Sequence, residues 1–279
     1  REHAELMRPE TRRLAEGLVN GDRVCLSRAI TLIESLKEDH HMQAQYLLEY
    51  VLREKKENKT RKESFRLGIA GPPGAGKSTF IEALGSMLVQ DLGLRVAVLA
   101  VDPSSSRTGG SILGDKTRMT DLSRMPDAYV RPSPTRGSLG GVAQHTNDVV
   151  LLCEAADFEI IIVETVGLGQ SEVLVDETVD MLMLLVPPAN GDELQGVKKG
   201  IMEVADMVVV NKADGELATA ARHAATDYMH ALQLMRRKRP IWRPRVKKCS
   251  ALHKEQIDTV WNIVEKFRRK MPFRNVPVR

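Results

Sequence analysis

The sequence predicts an α/β fold: a mainly parallel central sheet flanked by helices, with a helical segment before it and one helix after it. Three observations predict this. Short, nearly continuous apolar runs, "FRLGIAG", "RVAVLAVD", "FEIIIVET", "DMLMLLVPP" and "DMVVVNKAD", recur through the middle of the chain, as strands buried on both faces of a parallel sheet do. Helical patterns lie between them, the alternation that right-handed crossovers produce. The stretch before the first run has a helical period instead.

Taken in order, Leu26, Ala29, Ile30, Ile33 and Leu36 form one helical stripe after Asp22, and Tyr46, Leu47, Tyr50 and Val51 form a second. Residues 1–62 are therefore expected to be an N-terminal helical segment, bounded by the charged stretch from Arg53 to Glu63. Residues 63–254 carry the sheet. Its first strand, "FRLGIAG", leads into a helix from Ser78 to Leu92, with Gly93 as the stop. The second strand ends at Asp102 and the run "EIIIVE" ends at Glu164. "MVVV" leads into "NKAD", and "RVKKC" leads into "SAL". Ile257, Val260, Trp261, Val264 and Phe267 share one face of a final helix, within a C-terminal segment, residues 255–279, expected to pair subunits.

Composition narrows the class. A chain of 279 residues with 42% hydrophobic and 28% charged residues reads as globular, long enough for one large domain with an appendage. No apolar run approaches the roughly 18 residues needed to cross a bilayer. Cys25, Cys153 and Cys249 are widely spaced, which argues against a disulfide framework or a thiolate metal site and for a reducing compartment. The chain starts at Arg1 rather than Met, so an upstream segment, with any address signal, is expected to have been removed. The basic clusters, "REKKENKTRK", "RRKR" and "RRK", are short or interrupted, and aromatics are only 4%. Nucleic-acid binding is therefore disfavoured, and the clusters read as solvated helix surface or a face for an acidic partner.

"GPPGAGKST", Gly71 to Thr79, matches the phosphate-loop pattern G-x-x-x-x-G-K-[ST] after a strand and before a helix. Its N–H groups can close around phosphate oxygens, and the helix N-terminus adds partial positive charge. Lys77 is expected to reach the β and γ phosphates, and the Ser78 hydroxyl to ligate magnesium. Asp102 and Glu164 end strands on the side where ligands of open sheets collect, so both are magnesium candidates. A helix-capping role is the rival for Asp102. In "NKAD", Asp214 can accept from the two adjacent N–H donors of a guanine edge while Asn211 braces the loop and the Lys212 stem covers the base. Adenine offers no such pair of donors, and a carboxylate left unpaired discriminates by roughly 10⁴-fold. Backbone groups of "SAL" could meet the guanine oxygen.

The nucleotide-binding set is thus Pro72, Pro73, Gly74, Ala75, Gly76, Lys77, Ser78, Thr79 and Phe80, with Asn211, Lys212, Asp214, Ser250, Ala251 and Leu252. Lys77 and Glu164 are the catalytic candidates, because hydrolysis needs charge stabilisation and a positioned water more than covalent chemistry. Two Gly-rich polar segments that follow strands read as loops sensing the γ-phosphate. Arg107, Asp115, Lys116 and Arg118 are candidates in the first, Asp192, Glu193, Gln195, Lys198 and Lys199 in the second, and Gly167 turns the chain after Glu164. His145 and the other histidines lack metal-ligand spacing. The residues alone reach a magnesium-dependent guanine-nucleotide switch.

At these motifs the sequence resembles the P-loop GTPases named for a Glu in the third G motif. "GPPGAGKST", "VDPSSSRTGGSILGDKTRM", "RGSLGG", "ETVGLGQSE" and "NKAD" look like its MeaB and methylmalonic aciduria type A branch. The resemblance covers nearly the whole chain. It implies a P-loop NTPase fold and a GTPase, with GTP or GDP as ligand and Mg2+ as cofactor, that is a homodimeric chaperone of adenosylcobalamin-dependent methylmalonyl-CoA mutase. Such a chaperone gates cofactor loading and removal of damaged cofactor in the mitochondrial matrix, with no cobalamin site on this chain. Residues 190–200 would be an extra switch responding to the mutase. Metal-inserting relatives in the wider family carry clustered Cys or His, which this sequence lacks. A small-molecule kinase would need an acceptor pocket with a base, and none is visible beyond the acids assigned to magnesium. A scaffold that binds GTP without using its hydrolysis is the third rival.

Overall fold

The computed structural model describes residues 6–35, 37–57, 63–102, 119–134, 139–165, 176–188 and 199–271, without the side chains of residues 101–102, 132–134, 139–144 and 199. Three helices open it: α1 (Pro9–Val19), α2 (Arg23–Ile33) and α3 (Glu38–Glu57). The last two were expected. The first lies within the expected helical segment but carried no stripe of its own, because its buried positions Thr11, Ala15 and Leu18 set a threonine and an alanine among charged residues, a weak periodic signal. Asp22 caps α2 by accepting from the N–H groups of Val24 (2.7 Å) and Cys25 (3.1 Å).

The sheet has seven strands, all parallel: β1 (Phe65–Ala70), β2 (Val96–Asp102), β3 (Ala128–Pro134), β4 (Ile160–Thr165), β5 (Met181–Val186), β6 (Met207–Val210) and β7 (Arg245–Lys248). Their spatial order is β3-β2-β4-β1-β5-β6-β7. The central strands β1 and β4 to β6 are the continuous apolar runs. The edge strand β3, "AYVRPSP", has no continuous apolar run because two prolines and an arginine dilute it, and prolines are tolerated at a sheet edge.

Alternate strand residues feed two cores. Leu99, Ile161, Val163, Leu184 and Val208 pack with the three opening helices, with α6 (Leu139–Ala155) and with α8 (Ala218–Leu234). Leu67, Ile69, Val98, Ile162, Met183 and Val209 pack on the opposite face with α4 (Lys77–Gln90), α5 (Thr120–Arg124) and α9 (Ile257–Lys270). A short helix, α7 (Lys199–Val204), precedes β6. The stripe of α9, from Ile257 to Phe267, is buried against the chain's own sheet, where Trp242 and Phe65 meet the Phe267 ring edge-on at 4.9 and 6.3 Å. Among the described residues no helix is long and apolar enough to cross a membrane.

One surface expectation is overturned. In "RRKR", Arg236 and Arg237 are exposed, but Lys238 and Arg239 turn inward. Lys238 Nζ donates to Asp176, to the Val204 carbonyl (2.7 Å) and to Asp206 Oδ2 (3.1 Å). Arg239 donates to Asp206 Oδ1 (2.9 Å) and to the Asp180 carbonyl (2.8 Å). The cluster is a buried clamp because Asp176 and Asp206 cannot be buried ionised without cations.

Candidate nucleotide site

The site is assembled at the carboxyl ends of β1, β4, β5 and β6. Between β1 and α4 the chain must pass under β5: a Cβ at Gly71 would lie 2.0 Å from the Leu185 carbonyl oxygen, so only glycine fits. This constraint was not read from the sequence, where Gly71 counted only as the first letter of a pattern. Gly76 then adopts φ 85°, ψ 30° as the residue before α4, and no side chain caps that helix. The first-turn N–H groups of α4 are thus left for an anion, which the helix dipole also favours.

Lys77 is buried, and its Nζ donates to the carbonyls of Gly71 (2.9 Å) and Pro72 (3.3 Å). The ammonium is therefore held inside the loop it would share with a phosphate. Pro73, Gly74 and Thr79 are exposed at the loop's rim, whereas Ala75 is buried beneath it. The Phe80 side chain belongs to the core, and its N–H bonds the Gly76 carbonyl at 2.9 Å, so that residue faces the helix interior rather than the loop's concave side.

Because β1 and β4 are neighbours, with Ile69 opposite Glu164, the carboxylate that ends β4 reaches the start of α4. Ser78 Oγ lies 3.5 Å from Glu164 Oε1, and Glu164 is 4% exposed. A hydroxyl and a carboxylate oxygen side by side fit Mg2+, which takes oxygen donors, keeps several waters and shares phosphate oxygens with its ligand. Among the described residues no group of three or more His, Cys, Asp or Glu could hold a metal by itself. Asp102 ends β2, its side chain outside the description. Arg107, Asp115, Lys116, Arg118, Gly167, Asp192, Glu193, Gln195 and Lys198 lie outside the described residues, and Lys199 is described only as the backbone start of α7.

Asn211 braces more than its own loop. Its Nδ2 donates to the Ala75 carbonyl (2.9 Å), and its Oδ1 accepts from the Ala251 N–H (3.0 Å). The Cys249 thiol lies 3.6 Å from the same Oδ1, its pKa pushed up to about 12 by burial, so it stays a neutral donor. Backbone bonds from Asn211 N–H to the Val186 carbonyl (2.8 Å) and from Ala213 N–H to the Cys249 carbonyl (3.0 Å) complete the tie. One buried amide thus joins the phosphate loop, the "NKAD" loop and the "SAL" loop. Lys212 takes φ 58°, and its Cε lies 3.8 Å from where a Gly76 Cβ would stand, laying the stem across the phosphate loop. Asp214 Oδ1 is buried without a hydrogen-bond partner among the described residues, which costs stability unless a ligand donor meets it. Ser250 and Ala251 are buried and Leu252 is 73% exposed, leaving a backbone role for it. His253, which motif reading passed over, faces Asp214.

The family model for the methylmalonyl-CoA mutase-associated GTPase MeaB matches residues 26–275. The mouse protein named methylmalonic aciduria type A homolog, mitochondrial, is 52% identical over 93% of this chain, which spans only 63% of the mouse protein's length. The Escherichia coli protein named GTPase ArgK is 49% identical over 90% of this chain and 74% of its own. A crystal structure described as LAO/AO transport system kinase superposes with a TM-score of 0.78 at 40% identity, covering 93% of this chain and 75% of that one.

Proposed function

The chain belongs to the MeaB family of methylmalonyl-CoA mutase-associated GTPases, and from that premise we propose that it is a magnesium-dependent GTP hydrolase serving as chaperone of the adenosylcobalamin-dependent mutase. In this reading GTP turnover gates cofactor loading and the removal of inactivated cofactor, in the mitochondrial matrix. The observation that supports it most is the tie through Asn211, which makes base, phosphate and "SAL" loops one unit while Asp214 Oδ1 waits buried for a donor.

The chemistry follows from the residues. Lys77 exchanges its bonds to the Gly71 and Pro72 carbonyls for phosphate oxygens and neutralises charge developing on the γ-phosphoryl group. Magnesium, when bound, screens the β and γ phosphates. Ser78 and Glu164 would hold it, and the Glu164 carboxylate orients the attacking water. The first-turn N–H groups of α4 bind the phosphates. A cation from one of the two loops that follow β2 and β5 completes the charge when the mutase docks, so turnover alone is slow.

Single-turnover hydrolysis of γ-labelled GTP, with and without purified mutase, tests this. Acceleration by the mutase is expected; equal rates would remove partner activation. The name of the LAO/AO transport system kinase keeps a second reading in view, transfer of the γ-phosphoryl group to an amine or hydroxyl. The same assay separates the two, because label recovered only as inorganic phosphate excludes transfer and label on an added metabolite would replace hydrolysis.

A further inference from the structure

The turn after β7 is unusually well fixed for an exposed loop. Ser250 and Glu255 exchange backbone bonds, Ser250 N–H to Glu255 O at 3.1 Å and Glu255 N–H to Ser250 O at 2.9 Å. Within it, Ser250 Oγ accepts from the His253 N–H (3.3 Å) and Ala251 N–H is held by Asn211 (3.0 Å). Lys254 and Gln256 stand at φ 56° and 61°, a left-handed conformation that non-glycine residues adopt only when the surroundings impose it. His253 at the tip therefore has a defined direction. Its side chain is 55% exposed, and Nε2 lies 3.6 Å from Asp214 Oδ2, while Asp214 Oδ1 is buried without a hydrogen-bond partner among the described residues.

A guanine edge offers two donors, the ring N1–H and the exocyclic amine, and the two oxygens of one carboxylate meet both only if the carboxylate lies in the plane of the base. Rotation about the last torsion of an aspartate is soft. A donor that closes on one oxygen therefore sets the other. We infer that His253 is a positioning residue for base recognition: from 3.6 Å, just beyond hydrogen-bond length, it closes on Asp214 Oδ2 as the base seats and thereby confers discrimination of guanine from bases lacking the exocyclic amine. The inference rests on the guanine-nucleotide reading above.

The test uses the full chain with Mg2+ and measures affinities for GDP, for inosine diphosphate, which keeps N1–H but lacks the amine, and for ADP. In His253→Ala the ratio of GDP to inosine diphosphate affinity should fall roughly fivefold, the worth of about one hydrogen bond. His253→Gln, which retains an N–H donor, should restore the ratio to within about twofold. Thermal unfolding of the nucleotide-free protein should not change in either variant, since the side chain is largely solvated. An unchanged ratio in His253→Ala, or a His253→Gln protein as impaired as His253→Ala, would overturn the role of His253 alone. A wild-type protein that does not prefer GDP to ADP would overturn the guanine reading with it.

Discussion

At the scale of single residues, the choice of Glu rather than Asp at position 164 has a geometric reason. The carboxylate starts from β4, one strand away from the loop it serves, yet reaches within 3.5 Å of the Ser78 hydroxyl. Shortening it by one methylene withdraws the oxygens by about 1.5 Å, so Glu164→Asp should leave GDP affinity unchanged and slow single-turnover hydrolysis by about 10–100-fold. Undiminished hydrolysis would remove Glu164 from the mechanism. A second residue, Asp148 on α6, has no part in the chemistry. Burial pushes its pKa up from 3.8 to about 6, partly offset by His145 one turn away. Because the native state holds this proton more tightly, its contribution is fully present below about pH 4 and is lost as pH rises to about 6. Asp148→Asn should therefore stabilise the protein at pH 7.5 by about 1 kcal/mol, allowing for its partial solvation, and leave it unchanged at pH 4. Chemical denaturation at the two pH values measures both. The candidate site residues Lys77, Asn211 and Asp214 stand out from spacing alone, and the fold brings their loops together. Gly71, Cys249 and His253 do not, because their roles arise from contacts with Leu185, Asn211 and Asp214 that only the folded chain brings together.

At the scale of elements, legibility followed contrast. The strands β1, β4, β5 and β6 stood out because both their faces are buried, whereas the run of β3 contains two prolines and an arginine, and the buried stripe of α1 contains a threonine and an alanine. Charge was misread for a related reason. Composition places "RRKR" on the surface, and no periodicity reveals that Asp176 and Asp206 are folded against half of it. Asp176 begins the approach to β5 and Asp206 the approach to β6, so Lys238 binds the segments leading into two central strands. With side chains 14%, 12% and 1% exposed for Lys238, Asp176 and Asp206, the charges are poorly solvated, and removing the cation takes an ammonium from both carboxylates and leaves Asp206 with Arg239. Lys238→Met should cost about 3–5 kcal/mol and lower Tm by roughly 10 °C. Arg237→Ala, one residue away but exposed, should change stability by less than about 0.5 kcal/mol. Calorimetry of the two variants separates a buried clamp from a general basic surface.

At the scale of the whole molecule, the opening helices and α9 are built into the same cores as the sheet, on opposite faces of it. Glu154 on α6 pairs with Lys55 of α3 and Arg66 of β1, and Arg131 of β3 pairs with Glu34 at 2.6 Å, so ion pairs as well as apolar contacts join the opening helices to the rest. If the chain is a homodimer paired through residues 255–279, α9 can accordingly offer only its outer side. Its apolar side, with Ile257, Val260, Trp261, Val264 and Phe267 at most 4% exposed, is already spent on the chain's own core. Burying such side chains is worth about 1.5–3 kcal/mol each, and five together rival the 5–15 kcal/mol that holds a typical domain folded. Deleting residues 255–279 should therefore abolish cooperative unfolding rather than yield a folded monomer. The informative variant reverses charge on the exposed side, Lys266→Glu with Arg269→Glu, which leaves the core intact. Light scattering of that variant should give half the mass of the parent with less than about 1 kcal/mol lost in monomer stability. A mass equal to the parent's, with the parent itself dimeric, would move the subunit interface off α9.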